Sequence, residues 1–206
     1  QSVLVAAGND LTFVGIAGAV GISGTFAATP GVVVEVISVD SKAWIGDSAD
    51  VDAQRDIQVH AQQTEDLLTL SISIAGTGEV AVAGAVSVIV LNNETYAYVD
   101  ANADLYAGGN VLISAVDTSD LDVIAGAVGI GLGTAGVGAS VGVTVINKDT
   151  QAWIGENAEV DAKGSSSALI VFDGTLDSSG NFGVTDGTDD ARGVSVTAFS
   201  SEDYFA

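Results

Sequence analysis

Three segments of the chain share one pattern of hydrophobic and polar positions. The pattern begins at Ala43, Ala97 and Ala152, so it returns after 54 and then 55 residues. Each copy places an aromatic residue after an alanine, continues through a polar turn and ends in a short alternating stretch. A repeat of this length predicts a stack of similar units, because each unit buries its apolar face against the next.

Valine recurs at every second position in the Gly-, Ala- and Val-rich stretch that opens each repeat. The aligned valines are Val32, Val34, Val36, Val86, Val88, Val90, Val141, Val143 and Val145. A period of two predicts β-strands, since successive side chains of a strand point to opposite faces. The other face is mixed, with Glu35, Ser87 and Thr144 among its members. We expect that mixed face to be partly solvated or packed on another layer.

The stretch 123–146 carries no charged residue and is long enough for a membrane-spanning helix. Gly and β-branched Val are poor helix formers, however, and the aligned stretch of the first repeat contains Glu35. A buried pair of strands therefore explains this stretch better than a spanning helix. The density of glycine, as in 129–133, also predicts sheets that pack unusually close together.

The alternation in the second repeat assigns its side chains to two faces. Small and aliphatic residues share one parity and are predicted to point inward, whereas aromatic and acidic residues share the outward parity. The predicted outward columns are Trp44, Tyr98 and Trp153, which are aromatic, and Asp50, Asp104 and Glu159, which are acidic. Asp47 and Glu156 fall on the inward parity, so a bend near Gly46 and Gly155 is expected to reset the register.

The two columns raise separate questions. Carboxylates on strands about 4.8 Å apart would repel strongly, so each repeat is expected to span two or more coils. The aromatic column is a candidate contact surface for sugar rings or for a neighbouring filament. The alternative is that the rings cover a seam within the same chain, since large aromatic side chains are usually buried.

The third repeat is interrupted by an insertion at 163–191. Turn sequences there follow a strand-like stretch at 168–172, which predicts a protruding hairpin. Its acidic and amide side chains suit Ca²⁺, which prefers oxygen ligands. The candidate calcium ligands are Asp173, Asp177, Asn181, Asp186, Asp189 and Asp190. The nonapeptide calcium repeat and the EF-hand loop are both missing from the sequence, so a solvated acidic loop is the alternative.

The charge balance limits the classes of partner. Twenty-seven acidic residues oppose five basic ones, for a formal net charge of −22. Such a surface excludes nucleic acid, disfavours an anionic membrane surface and suits divalent cations or a basic protein. The sequence has no cysteine for a disulfide or a reactive thiol. It begins at Gln1 without a basic and apolar leader, so an export signal is expected to lie upstream or to have been removed.

Groups for catalysis are scarce in the sequence. The single histidine, His60, lies in a strand-like stretch, whereas a nucleophilic triad needs a positioned nucleophile and an oriented base. The basic residues are scattered, which disfavours a polysaccharide-cleaving site of carboxylates and a cation. They are Lys42, Arg55, Lys148, Lys163 and Arg192. The chain is therefore predicted not to be an enzyme, and Ca²⁺ is the only cofactor considered; a polysaccharide-degrading β-helix enzyme is the disfavoured alternative.

The repeats resemble those of very large bacterial surface proteins, namely filamentous-haemagglutinin-like and leukotoxin-like adhesins and autotransporter passengers. The resemblance is carried by the Gly/Ala/Val stretches, by Ala43-Trp44-Ile45-Gly46 with its echoes and by the segment 194–203. It covers nearly the whole chain except the insertion. The resemblance implies a β-solenoid, export to the cell surface and an adhesive or structural role.

Together these patterns predict one all-β domain over 1–206. The expected fold is a β-solenoid of the parallel β-helix kind, with repeats at about 11–66, 67–120 and 121–206. An antiparallel β-sandwich or prism built from the same repeat is the alternative. The predicted function is a structural building block of an extracellular adhesin or filament, with a calcium-dependent or carbohydrate-binding surface module as the alternative.

The ends of the sequence lie at the same phase of the repeat. Residues 2–6 resemble 111–115, and the sequence stops just past a further strand of that kind. This predicts either a slice of a longer array or copies that stack end to end. The expected partners are therefore the chain itself, surface glycans or another cell-surface protein, with no nucleic acid and no transmembrane span.

Overall fold

The computed structural model describes residues 1–177 and 185–206, and the side chains of 173–187 are left out of the description. The described chain forms twelve strands. The first coil contains β1 (Val3–Ser23), β2 (Phe26–Ile45) and β3 (Asp50–Ala53). The second contains β4 (Ile57–Thr77), β5 (Val80–Val99) and β6 (Asp104–Ala107). The third contains β7 (Val111–Gly131), β8 (Ala135–Ile154) and β9 (Glu159–Ala162). The hairpin strands β10 (Leu169–Asp177) and β11 (Thr185–Ala191) follow, and β12 (Val194–Phe205) begins a fourth coil.

Equivalent strands of successive coils pair in parallel and build a β-solenoid. Sheet A has the order β1-β4-β7-β12, sheet B the order β2-β5-β8 and the small sheet C the order β3-β6-β9. The pairing follows the repeat, since Val3 lies opposite Ile57 and Ile57 lies opposite Val111. The predicted solenoid fold is therefore confirmed, and its sheets are parallel, unlike those of the alternative sandwich or prism.

Each repeat makes one coil, and the prediction of two or more coils per repeat is wrong. Trp44 pairs directly with Tyr98, and Tyr98 pairs directly with Trp153. The cause is the length of the strands, because those of sheets A and B that complete a coil run for 20 or 21 residues, against a usual strand length of about 5–6. The predicted side-chain columns consequently have the spacing of adjacent strands.

The corner between β2 and β3, and the equivalent corners β5–β6 and β8–β9, each contain a residue in the left-handed conformation. Ser48, Asn102 and Asn157 have φ of 55°, 56° and 56°. Asn adopts this conformation more readily than most residues because its short polar side chain can hydrogen-bond locally. The corner starts at Gly46 in the first coil and at Gly155 in the third, as the sequence predicts. After the corner, the alternation of inward and outward residues begins anew in sheet C.

The interior divides into an aliphatic core and a narrow region of small side chains. The core lies where sheets A, B and C meet and includes Ile45, Ile57, Val99, Leu105 and Ile113, all 5% exposed or less. Farther along the long strands the interior positions carry mostly Gly, Ala, Ser and Thr. The small side chains let the two long sheets approach closely.

Glycine is required at the far end of this narrow region. A Cβ atom on Gly129 would lie 2.3 Å from the carbonyl oxygen of Val137, and one on Gly138 would lie 2.3 Å from that of Ala127. Real Cβ atoms do not approach a backbone this closely, so any side chain would push β7 away from β8. The predicted close packing of the sheets is confirmed here.

The valine face of sheet B is exposed, and the mixed face packs against sheet A. Val32, Val34 and Val36 are 59%, 62% and 68% exposed, whereas Glu35 and Ser87 on the other face are 7% and 0% exposed. The prediction of a buried strand pair over 123–146 is wrong, because Val123 is the one buried residue of this stretch and residues 136–143 are exposed on both faces of β8. The inward positions between the sheets are mostly small residues, with Ile89 and Val123 among the larger exceptions, and the valines of the other face point outward.

The predicted hairpin is present in the third coil. β10 and β11 pair antiparallel. The ring of Phe172 stacks on that of Phe199 in β12, with 4.9 Å between centroids and 18° between planes. The hairpin therefore lies against the outer face of sheet A. In the part of the chain that the structure describes, no helix has the length and apolar character needed to cross a membrane.

Candidate functional site

The aromatic column is a continuous stack of rings on the outer face of sheet B. Tyr98 lies between the two tryptophans, with centroids 6.1 Å from Trp44 and 4.2 Å from Trp153. The ring planes differ by only 10° and 4°. In-register parallel pairing causes this arrangement, since it places equivalent side chains one strand spacing apart.

Stacking decides which ring surfaces remain free. Trp44 is 51% exposed, and Tyr98 and Trp153 are half-buried. The tyrosine uses both ring faces within the column, so an external sugar could stack only on the outermost face of Trp44 or Trp153. The rings point outward, as predicted, and the role of Trp44, Tyr98 and Trp153 in surface contact stays a prediction.

Charged and phenolic groups link the coils beside this stack. The Lys42 ammonium lies 2.6 Å from the Glu94 carboxylate and 4.9 Å from the centroid of the Tyr96 ring. The Tyr96 hydroxyl donates a hydrogen bond of 2.5 Å to Asp149. This bond lowers the pKa of Asp149 and, together with desolvation and nearby carboxylates, raises the pKa of Tyr96 to about 12. Neighbouring coils are therefore joined by polar side chains as well as by backbone ladders.

Carboxylates form columns at the spacing of one strand. Asp50, Asp104 and Glu159 lie in register and are exposed, as the sequence pattern predicts for their face. On sheet A, Asp66, Asp120 and Asp203 also lie in register. Partial burial raises the pKa of Asp120, and the neighbouring carboxylates of Asp122, Asp203 and Asp66 raise it further. Carboxylates therefore lie one strand apart in this fold, although the sequence analysis expected their repulsion to keep them farther apart.

A polar surface lies next to the aromatic stack on sheet B. The Asn147 amide donates to Asn92 Oδ1 at 2.9 Å, and Asn92 donates to Ser38 Oγ at 3.5 Å. A concavity of about 540 Å³ runs along this ladder, and Asp40, Glu94 and Asp149 are among its lining residues. The concavity is acidic and open, which suits a cationic or hydroxyl-rich ligand better than an anionic one.

Comparison with protein-family models, with curated proteins and with solved structures gave no match. The assignment of a β-solenoid therefore rests on the parallel register of the three sheets alone. The likeness to bacterial adhesins remains a resemblance of composition and repeat.

The sequence analysis missed a buried group of charges between the two long sheets. The Lys148 ammonium lies 2.8 Å from Asp117 and 3.6 Å from Glu202, and it donates to the Ser201 carbonyl at 2.9 Å. Nearby, Ser119 donates to Glu65 at 2.6 Å, and burial is the main cause of a raised pKa of Glu65. The strand alternation of 111–121 puts Asp117 on the inward parity, and that signal could have revealed it.

The predicted calcium ligands are only partly within the described structure. Asn181 lies outside the described residues, and Asp173, Asp177 and Asp186 lie in β10 and β11 with side chains outside the description. Asp189 and Asp190 are exposed. Among the residues whose side chains are described, no group of three or more His, Asp or Glu is placed to hold a metal ion. The calcium site stays a prediction, to be tested by melting temperature with CaCl₂ and with EDTA.

Four of the candidate groups for catalysis lie on the surface, and one basic residue lies beside a concavity. His60 lies on the outer face of β4, where its ring hydrogen-bonds Gln62 at 3.4 Å. Arg55, Lys163 and Arg192 are exposed. Lys148 is flanked by carboxylates, its side chain is 5% exposed, and it is among the residues that line the acidic concavity of sheet B. The prediction that the chain is not an enzyme stays a prediction.

Proposed function

We propose that the chain is a structural building block of an extracellular bacterial adhesin or filament, in which solenoid coils stack end to end. Adhesion would arise from many repeated contacts along the stack, since linked weak contacts bind more strongly than any one alone. The resemblance to repeat-rich surface adhesins supports the extracellular location. The main support for the proposal is that, in the part of the chain that the structure describes, the outermost coils expose interior side chains and unpaired backbone groups.

Core side chains are exposed at the outermost coil. Ile57, Val59, Val111 and Ile113 occupy two interior columns and are 0% exposed. Val194 and Val196 occupy the same columns in β12 and are 46% and 40% exposed. A further coil of the same repeat would bury these side chains in the manner of the inner coils.

At the opposite edge, β1 and β2 carry backbone groups that pair with no other strand of residues 1–177 and 185–206. The Val3 amide donates to the Asp56 carbonyl of the second coil at 2.9 Å. Alternate residues of a strand direct their backbone groups to opposite sides, so the Leu4 amide points away from the second coil. In β2 the carbonyl of Ile45 accepts from the Asp100 amide, so the odd-numbered residues of this strand direct their backbone groups to the second coil. The even-numbered Ser38 therefore directs its amide away from the second coil. Such edges are templates for pairing with another strand.

Proline at these outward amides tests end-to-end stacking. The variant L4P/S38P removes two outward donors while leaving the ladder to the second coil intact, and L4A/S38A is the matched control that keeps both donors. We expect the wild type and the alanine variant to form linear assemblies that lengthen with concentration, and the proline variant to lose them. Multi-angle light scattering and negative-stain electron microscopy measure this.

Two results would count against the proposal. One is a wild-type chain that forms no linear assembly at high concentration. The other is a proline variant that is well folded by circular dichroism and assembles into filaments as readily as the alanine control.

A further inference from the structure

The outer face of sheet B carries a regular array of valines. Its three rows are Val32–Val86–Val141, Val34–Val88–Val143 and Val36–Val90–Val145, which we call the valine grid. Strand pairing runs in step across all the residues of β2, β5 and β8, so the rows are aligned across the three coils. The outer six valines are 42–68% exposed.

The apolar face extends from the grid to the tip of the long strands. All outward positions there are apolar, including Phe26, Pro30, Val82 and Val137. Together with the grid they expose on the order of 1,000 Å², whereas the largest patch of a typical monomer is about 300–600 Å². An interface of ordinary size needs about 800 Å² from each partner, so this face alone meets the requirement.

We infer that the valine grid is a contact surface between two copies of the chain, packed face to face with their strands antiparallel. The inference goes beyond end-to-end stacking, because this face lies on the side of the solenoid. The grid of one copy has the same spacing of ridges and hollows as that of the other, which favours interdigitation of the two faces.

The distribution of charged residues around the grid favours a second copy as the partner and an antiparallel orientation. The grid carries no ionisable group, so it offers nothing to a basic or an acidic partner. The column Asp40–Glu94–Asp149 lies just beyond the row Ser38–Asn92–Asn147 at one border of the grid. Parallel strands would bring these carboxylates of the two copies together, whereas antiparallel strands keep them apart. The Ser–Asn–Asn row then forms a polar rim, as is usual at interfaces.

Lysine substitutions test this surface against a matched control on the opposite sheet. V34K/V143K places two cations in the grid, at positions 62% and 44% exposed. I16K/V128K places two cations on the outer face of sheet A, at positions 72% and 52% exposed, and changes the net charge equally. Both are made in the L4P/S38P background, so that end-to-end assembly does not obscure the result.

The lysine variants give a clear expectation in sedimentation equilibrium. The L4P/S38P chain and its I16K/V128K form should be dimers, and the V34K/V143K form should be a monomer with at least a 100-fold weaker association. A monomeric L4P/S38P chain overturns the inference and leaves end-to-end stacking to its own test. A dimer that survives V34K/V143K also overturns it. So does a monomer that floats with phosphatidylcholine vesicles in a manner that V34K/V143K abolishes, because the face would then bind lipid.

Single cysteines test the orientation, since the natural chain has none. Val88 lies at the centre of the grid and meets its own copy in either orientation. Glu94 lies on the same strand and meets its copy only when the strands are parallel. We therefore expect V88C to form a disulfide-linked dimer under mild oxidation and E94C to remain unlinked. Efficient cross-linking of E94C would overturn the antiparallel arrangement.

Discussion

The Lys148 ammonium lies 2.8 Å from the Asp117 carboxylate inside the solenoid, and the two side chains are 5% and 0% exposed. This ion pair links β8 to β7 across the interior of the third coil. Breaking a buried pair leaves a charge without compensation, which costs far more than breaking an exposed pair. The fold therefore depends on the two charges staying paired inside the solenoid.

Removing the lysine charge should destabilise the fold strongly. We expect K148M to lower the free energy of unfolding by about 3–5 kcal/mol, because Asp117 then stays buried without its partner. K42M is the control, since Lys42 and Glu94 form an exposed pair whose loss costs about 1 kcal/mol or less. Urea denaturation measures both. The double variant K148M/D117L should recover most of the loss, and equal effects of K148M and K42M would contradict the assignment.

The Tyr96–Asp149 hydrogen bond predicts acid sensitivity. The folded-state pKa of Asp149 lies below its ordinary value of 3.8, so the bond stabilises the fold above that pH and is lost as pH falls through the folded-state pKa. We expect Y96F to lose about 1 kcal/mol at neutral pH and to lessen the fall of melting temperature on acidification. Y106F is the control, because Tyr106 is 45% exposed. A wild-type pH profile retained by Y96F would exclude the bond.

At alkaline pH the same bond predicts a second loss. The pKa of Tyr96 is raised to about 12 from an ordinary value of 10.0, so its contribution is complete below 10.0 and disappears as pH rises towards 12. Ultraviolet titration of tyrosine in the wild type and in Y96F should show one late-titrating phenol that the substitution removes. The same late phase in Y96F would assign it to another tyrosine.

The Asp66–Asp120–Asp203 column predicts a dependence on pH opposite to that of Asp149, because the pKa of Asp120 is raised. The folded-state pKa of Asp120 is raised, so its contribution to stability is greatest below the unfolded-state pKa and is lost as pH rises through the folded-state value. We expect D120N to stabilise the fold by about 0.5 kcal/mol at pH 7 and to have little effect at pH 3. D52N is the control, because Asp52 lies opposite Tyr106. A neutral D120N would show that the repulsion is screened.

The aromatic stack predicts a stabilising role for its middle ring. Y98A removes two ring contacts, each worth about 0.5–1.5 kcal/mol beyond burial, and we expect a loss of about 2–3 kcal/mol. Y98F keeps the ring and should be nearly neutral. Y106A, which removes a more exposed ring, is the control, and urea denaturation with tryptophan fluorescence follows all three. Similar losses in Y98A and Y106A would contradict stacking.

The repeat and its alternation were enough to predict the strands, their parallel stacking and the outward columns. Alignment alone placed Trp44 and Tyr98 in one outward column and Asp50 and Asp104 in another, although it did not place them on adjacent strands. The inserted hairpin was predictable from its turn sequences. These features depend on local pattern, which a single sequence contains.

The number of coils per repeat and the direction of the valines depend on tertiary packing. Repulsion between carboxylates suggested widely spaced coils, but exposed carboxylates in water repel weakly enough for the backbone ladders to prevail. Both faces of 123–146 are apolar, so hydrophobicity could not decide which face is inside. Close backbone approach decides it near the tip, because a Cβ atom on Gly129 or Gly138 would meet the backbone of the facing strand.

The one-to-one match of repeat and coil bears on how such a chain can change in length. The corner between β7 and β8 is one residue longer than that between β4 and β5, yet Trp153 still pairs with Tyr98. Length variation is thus absorbed at the corners. A tandem duplication of one 54-residue unit in the gene would lengthen the molecule by a single step of about 4.8 Å and would place every new side chain beside its own ancestor.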